Sequence, residues 1–196
     1  MQRTAATALP GIWILTLVSL LVMGGGMACD PDREDPVASP TIVAETPVSL
    51  PGDFTIRAYT GADRLGGETV LLSSVVGHGQ PVVLNFWGGL CPPCRAEMPG
   101  FQAVYANYAD RVLFLGVDVG PFVGLGGRQD ARDLIAALEV TYPNGWTFNS
   151  SALKDYEIRS IPRTVFFAGD GRVIRVWTGA IPEPDLVQLV EALLAS

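Results

Sequence analysis

Two cysteines separated by two residues, Cys91 and Cys94, lie where an apolar stretch meets a helix-favouring one. The preceding residues 81–87 are apolar and uncharged, which predicts a strand buried on both faces. Pro92 and Pro93 suit the first helical positions, because amide protons there have no partner within a helix. Cys91 is therefore predicted at a helix N-terminus, where the dipole and free amides favour a thiolate and make it the accessible nucleophile.

This spacing predicts dithiol–disulfide exchange. Cys94 lies one helical turn after Cys91, with its Cα within disulfide reach, so one sulfur can attack and the other can resolve the mixed disulfide. A passive disulfide and half of a zinc site are the alternatives. Zinc needs further ligands, but the chain has three cysteines in all and one histidine, His78, which is predicted to be a solvated loop residue.

The sequence resembles the thioredoxin superfamily and, within it, the TlpA branch of membrane-tethered, extracytoplasmic thiol–disulfide oxidoreductases of the ResA and DsbE kind. The resemblance runs from about Pro47 to the C-terminus and departs from the family at Leu90, where Trp usually precedes the first Cys. It rests on Val-Leu-Asn-Phe-Trp at 83–87, Cys-Pro-Pro-Cys-Arg-Ala-Glu-Met-Pro at 91–99, Tyr-Pro at 142–143 and Ser-Ile-Pro-Arg-Thr at 160–164.

The resemblance implies three substrate-side residues. Pro162 matches a proline that is cis and packs beside the cysteine pair, and the backbone of Ile161 there can bind a polypeptide as an added strand. Trp87 is expected to shield the disulfide and to contact substrate. The simpler alternatives are an ordinary trans proline and a tryptophan that only packs in the core.

Glu97 follows Cys94 by one helical turn, which places its carboxylate near the buried sulfur. In the TlpA branch, which the sequence resembles, the matching Glu tunes the acidity of the cysteine thiols and relays protons. Asn85 stands where thioredoxins proper carry a buried Asp, which favours Glu97 in that role. A solvated glutamate on the helix surface is the competing interpretation.

The N-terminal region predicts a membrane tether. Residues 5–28 carry no charge, Arg3 precedes them, and an acidic run follows at 30–35, as in an export signal or anchor. Gly26-Met27-Ala28-Cys29 resembles a lipobox that would make Cys29 a lipidated N-terminus, with an uncleaved anchor as the alternative. The predicted organisation is a signal or anchor at 1–29, a disordered acidic linker at 30–46 and a redox domain at 47–196.

The predicted fold is α/β: a thioredoxin-like three-layer α/β/α sandwich with a mixed central sheet and an N-terminal β-hairpin extension. The hairpin is predicted at 54–58 and 70–72, and the core elements follow in the order βαβαβαββα. Two irregular segments are a glycine-rich flexible insertion at 120–127, without the spacing of a phosphate cradle, and a turn at 142–145 before a strand at 146–148.

The expected function is the reduction of protein disulfides by Cys91 and Cys94 with no other cofactor and no metal. The resemblance suggests apocytochrome c or similar clients and a membrane thiol electron donor of the CcdA or DsbD type. The alternatives are a disulfide-forming oxidant, a copper-delivery module and a peroxiredoxin, which needs Thr where this chain has Gly88. The formal net charge of −7 argues against nucleic acid as a partner.

Overall fold

The computed structural model describes residues 49–196. The predicted signal or anchor at 1–29, with Cys29, and the predicted linker at 30–46 lie outside the described residues. Within the range described, no helix is both long and apolar enough to span a bilayer.

In the part of the chain that the structure describes, seven strands form one mixed sheet in the order β2-β1-β5-β4-β3-β6-β7. Strands β3, β4 and β5 run parallel, and the other neighbours pair antiparallel. The predicted N-terminal hairpin is present as β1 and β2, and it extends the sheet by pairing with β5. The strands are β1 Thr55–Thr60, β2 Thr69–Leu71, β3 Val82–Trp87, β4 Leu113–Asp118, β5 Asn144–Trp146, β6 Arg163–Phe167 and β7 Val173–Thr178.

Helices cover both faces of this sheet, so the predicted three-layer α/β/α sandwich is confirmed. On one face α2 packs against α6. On the other, Phe86 packs against Phe54 and against Tyr156, the residue that directly follows α5. The helices are α1 Ala62–Leu65, α2 Pro92–Tyr108, α3 Gly120–Val123, α4 Arg128–Ala137, α5 Ser151–Asp155 and α6 Glu183–Leu194.

The central strands β3 and β4 are buried at every position, as expected for parallel strands covered by helices on both faces. Because α2 begins directly after the carboxyl end of β3, the cysteine pair lies at that edge of the sheet. The predicted helix start at Pro92 is confirmed.

Two predicted irregular segments are more ordered than expected. β5 begins at Asn144, inside the predicted turn, because Asn144 and Gly145 pair with β4 and are buried. The glycine-rich segment 120–127 contains α3, and the Leu125 carbonyl accepts a hydrogen bond from the Leu90 amide. The prediction of a flexible insertion is wrong, because this segment packs against the junction that carries the cysteines.

Candidate functional site

Cys91 and Cys94 form a disulfide with their Cα atoms 5.3 Å apart. Cys91 is the N-cap of α2, and its Sγ lies 3.4 Å from the amide nitrogen of Cys94, which donates to it. Pro92 and Pro93 occupy the first two helical positions and have no amide proton, so the Cys94 amide is the first donor of this helix. In the reduced form this amide and the helix dipole would stabilise a thiolate at Cys91.

Both sulfurs are more enclosed than the sequence indicated. Cys91 is 1% exposed and Cys94 is 0% exposed, so the prediction of an accessible Cys91 does not hold for the oxidised form. Cys91 nevertheless caps the helix from outside its first turn, whereas Cys94 lies inside it. This position supports the prediction that Cys91 is the attacking sulfur and Cys94 the resolving one.

The glycines before the cysteines are required by close packing. A Cβ on Gly88 would lie 2.9 Å from both the Cα of Gly120 and the carbonyl oxygen of Leu125. A Cβ on Gly89 would lie 2.5 Å from the backbone of Asp130. The segment that follows β4 is thus held directly against the junction, and a side chain at either glycine would displace it.

The loop before β6 meets the cysteine pair from the other side. The Ile161–Pro162 peptide bond is cis, as the resemblance implied. The Ile161 carbonyl oxygen lies 3.7 Å from Cys91 Sγ, so a reduced Cys91 thiol can donate to it. Within residues 49–196 the Ile161 amide makes no backbone hydrogen bond, which leaves it available to an added strand.

Trp87 is the last residue of β3 and is completely buried. Its indole therefore has no exposed surface for direct contact with a substrate. The prediction that Trp87 contacts substrate is corrected: this side chain packs in the core beside the site. Its Nε1 has no hydrogen-bond partner in the part of the chain that the structure describes.

Glu97 is buried beneath the first turns of α2, at 4% exposure, so the solvated-surface interpretation is wrong. Its Oε1 accepts from Asn85 Nδ2 and its Oε2 accepts from the Ile181 amide, each at 2.9 Å. Burial raises the pKa of this carboxyl to about 7, although both hydrogen bonds favour the charged form and oppose that rise. Glu97 can therefore exchange a proton near neutral pH.

A row of three buried polar side chains and one glycine crosses the sheet near Glu97, which the sequence did not predict. Thr164, Asn85, Gly116 and Asn144 are register partners on four neighbouring strands. Asn85 Nδ2 also donates to Thr164 Oγ1 at 3.0 Å. The signal in the sequence was an Asn inside an otherwise apolar strand, since a buried amide needs polar partners.

Asp118, at the carboxyl end of β4, is a second buried carboxylate that sequence reasoning missed. Its oxygens accept from the Tyr59 hydroxyl at 3.0 Å and from the Gly120 amide at 2.9 Å. Burial raises its pKa to about 6. The available signal was a charged residue at the end of an apolar strand. Functional groups of a parallel sheet lie at the carboxyl ends of its strands.

No group of three potential metal ligands occurs among residues 49–196. His78 is exposed, and its Nε2 lies 3.0 Å from the Ser73 carbonyl oxygen, in agreement with a solvated loop residue.

The amino-acid sequence is similar to one protein family and to two thiol-disulfide oxidoreductases. Residues 51–176 match the model of the AhpC/TSA family. The chain is 32% identical over 130 residues to the thiol-disulfide oxidoreductase ResA of Oceanobacillus iheyensis, covering 66% of this chain and 63% of that protein. It is 26% identical over 144 residues to the sporulation thiol-disulfide oxidoreductase A of Bacillus subtilis, covering 73% and 81%.

Two solved structures are similar to the fold of this chain. The crystal structure of StoA from Bacillus subtilis matches with a TM-score of 0.58 at 25% identity, covering 72% of this chain and 98% of that one. A DsbE-like thiol:disulfide interchange protein from Chlorobium tepidum matches with a TM-score of 0.60 at 23% identity, covering 76% and 98%. The second similarity supports the fold alone.

Proposed function

The chain belongs to the AhpC/TSA family and is a thiol–disulfide oxidoreductase, and from that premise we propose that it reduces disulfides of client proteins outside the cytoplasmic membrane. The observation that supports this most directly is the Cys91–Cys94 disulfide at the start of α2, facing the Ile161–Pro162 loop. That arrangement supplies a nucleophile, a resolving thiol and a backbone edge for a polypeptide in one place.

The proposed reaction has two exchanges. The Cys91 thiolate attacks the client disulfide, forms a mixed disulfide and releases one client thiolate. Cys94 then attacks Cys91 Sγ, restores the disulfide between the two cysteines and releases the second client thiol. Two electrons pass from the dithiol to the client, and Glu97, buried one turn from Cys94 with a pKa of about 7, is the proposed acceptor of the Cys94 proton.

The direction of electron flow is tested by the reduction potential. We expect the pair, equilibrated with glutathione in the full-length protein, to be strongly reducing, near the thioredoxin value of about −270 mV. A potential near the DsbA value of about −120 mV would instead assign the protein as a disulfide-forming oxidant. In each mixture of reduced and oxidised glutathione, alkylation of the free thiols followed by mass spectrometry gives the fraction of the protein that is oxidised.

A peroxidase reaction, which the family name raises, is disfavoured by the packing at Gly88. A peroxidatic site needs a Thr three residues before the reactive Cys. Here a Cβ at that position would meet the backbone of Gly120 and Leu125 at 2.9 Å. The loop that follows β4 therefore occupies the space that a Thr side chain would need.

The proposed location is the outer face of the cytoplasmic membrane, supported by the uncharged stretch at 5–28 and the acidic run after it. A reductant in that oxidising compartment needs a continuous electron supply, which supports a membrane thiol donor of the CcdA or DsbD type. The TlpA-branch resemblance supports apocytochrome c as a client, with its thiols kept reduced for haem attachment.

Lipidation at Cys29 is the proposed form of the tether. When cells expressing the full-length chain are labelled with a radioactive fatty acid, we expect the label on the wild type and its loss in Cys29→Ser. Cys94→Ser is the matched control that keeps Cys29 and should keep the label. Membrane association of an unlabelled wild type would favour an uncleaved anchor.

A further inference from the structure

Two arginines stack on two aromatic rings at the carboxyl edge of the sheet. Arg128 Cζ lies 3.8 Å from the centre of the Trp146 ring, and Arg57 Cζ lies 5.0 Å from the centre of the Phe148 ring. The two rings pack edge to face with their centres 4.1 Å apart. We call Arg57, Arg128, Trp146 and Phe148 the arginine–aromatic patch.

The patch lies at the same edge as the cysteine pair. Trp87, Asp118 and Trp146 are register partners at the carboxyl ends of β3, β4 and β5. Since neighbouring strands are about 4.8 Å apart, Trp146 lies about 10 Å from Trp87 across the sheet. Cys91 follows Trp87 by only four residues.

The first turn of α4 connects the patch to the cysteines directly. It carries Arg128 and also Asp130, whose backbone packs against Gly89, two residues before Cys91. Gly126, just before this helix, packs against Leu90. A polypeptide bound at Cys91 would therefore reach the arginine–aromatic patch by crossing Leu90.

Two carboxylates, Asp118 and Asp130, lie near Arg128, and the charge of Arg128 partly offsets the rise in the pKa of Asp118. Neither arginine forms an ion pair with a carboxylate in the range 49–196. Asp130 accepts a hydrogen bond from the Gly127 amide, and Asp118 is engaged by the Tyr59 hydroxyl and a backbone amide. Because both arginines lie outside the ion pairs of the described residues, their N–H groups can pair with an anionic partner, in a chain whose net charge is −7.

We propose that the arginine–aromatic patch binds acidic side chains of the client polypeptide, close in its sequence to the client cysteine. Stacking on an aromatic face holds a guanidinium in place and leaves its N–H edge free for a carboxylate. The separation of about 10 Å between Trp87 and Trp146 corresponds to about three residues of extended chain, which sets the scale for the client segment. This inference rests on the proposed reduction of protein disulfides.

The surroundings favour a polypeptide as the source of the carboxylate. Leu90, directly before Cys91, and Phe148, within the arginine–aromatic patch, are 53% and 55% exposed. Apolar side chains of a client can cover them while its acidic residue meets the guanidinium groups. An anionic lipid surface has no cysteine to present at Cys91, so it is treated as a competing outcome.

The test uses two synthetic disulfide-linked peptides. One carries Glu three and four residues from the cysteine, and the other carries Gln at those positions. With the full-length, reduced wild type at low salt, we expect kcat/KM to be about fivefold higher for the Glu peptide. In Arg57→Gln/Arg128→Gln this ratio should fall to about one, and added salt should lower it in the wild type.

The matched control is Arg111→Gln/Arg172→Gln, which removes the same charge at the opposite edge of the sheet, where Arg111 stacks 4.7 Å from the Tyr108 ring centre. It should retain the ratio. A wild-type ratio near one, or a ratio unchanged in the Arg57/Arg128 variant, overturns the inference while leaving disulfide reduction intact.

Two further outcomes are distinguishable. Failure of the wild type to reduce either peptide overturns the proposed function, and the inference with it. If the Arg57/Arg128 variant keeps its peptide ratio but loses binding to phosphatidylglycerol vesicles, the patch serves the membrane surface and the inference is overturned.

Discussion

Cys91→Ala is expected to abolish the reduction of insulin disulfides, leaving only the uncatalysed background. Cys91 is the N-cap of α2 and receives the Cys94 amide at 3.4 Å, so it is the sulfur whose thiolate the helix stabilises. Cys94 lies inside the first turn of the helix and is not its N-cap, so it is not expected to replace Cys91 as the attacking group. Turbidity of the precipitating insulin B chain measures the loss.

Cys94→Ala is expected to give a different result, because attack by Cys91 remains possible and resolution does not. The variant should accumulate mixed disulfides through Cys91, visible as thiol-sensitive bands on non-reducing gels. Cys29→Ser, which removes a cysteine outside the pair, should reduce insulin normally. Equal trapping by the Cys91 and Cys94 variants would contradict the assigned roles.

The parts of the site that lie close together in sequence could be predicted from it. The uncharged run of β3, the two prolines and the cysteine spacing act within one strand and one helical turn, so local rules place them. The cis state of the Ile161–Pro162 bond came from the resemblance and is confirmed. The local sequence pattern was thus sufficient to predict the disulfide-exchange chemistry and the cysteine that a client is expected to approach.

The contacts that depend on distant segments were missed. Glu97 is held by the Ile181 amide, 84 residues away, and no local signal predicts that hydrogen bond. No local pattern shows that Gly88 and Gly89 are required, because the requirement comes from the segment after β4, which packs on their Cα atoms. Arg57 meets Trp146 only because β1 adds to the sheet beside β5, and Arg128 reaches the same ring from the start of α4.

Glu97→Gln is expected to lower the apparent thiol pKa values of the cysteine pair. The buried carboxylate lies one turn from Cys94, and its negative charge opposes a second negative charge on sulfur. Removing that charge favours the thiolates and stabilises the reduced form, so the reduction potential should become more oxidising. The two thiols and the carboxyl titrate together, so the measured values belong to the group.

Absorbance at 240 nm reports the thiolates, and equilibration with glutathione reports the potential. Glu139→Gln, which changes an exposed glutamate at the end of α4, is the matched control and should leave both unchanged. The resolving step should slow in Glu97→Gln, because the proton acceptor for Cys94 is lost. Unchanged titration and potential would remove Glu97 from the redox chemistry.

The oxidised protein gives an independent test, because its disulfide does not titrate. Burial raises the Glu97 pKa from an ordinary value near 4.5 to about 7, so the folded state holds a proton that the unfolded chain releases. The stability that this proton contributes is complete below pH 4.5 and is lost as pH rises through about 7. The full loss corresponds to about 3 kcal/mol of unfolding free energy.

Glu97→Gln should remove that loss. In urea unfolding of the two oxidised proteins, the free energy of the variant relative to the wild type should rise by about 3 kcal/mol between pH 4.5 and pH 8. Asp118, whose pKa is raised to about 6, is present in both proteins and cancels in the difference. A difference that stays constant across this range would mean that Glu97 is ionised in the folded protein throughout, and its role as a proton acceptor at neutral pH would be withdrawn.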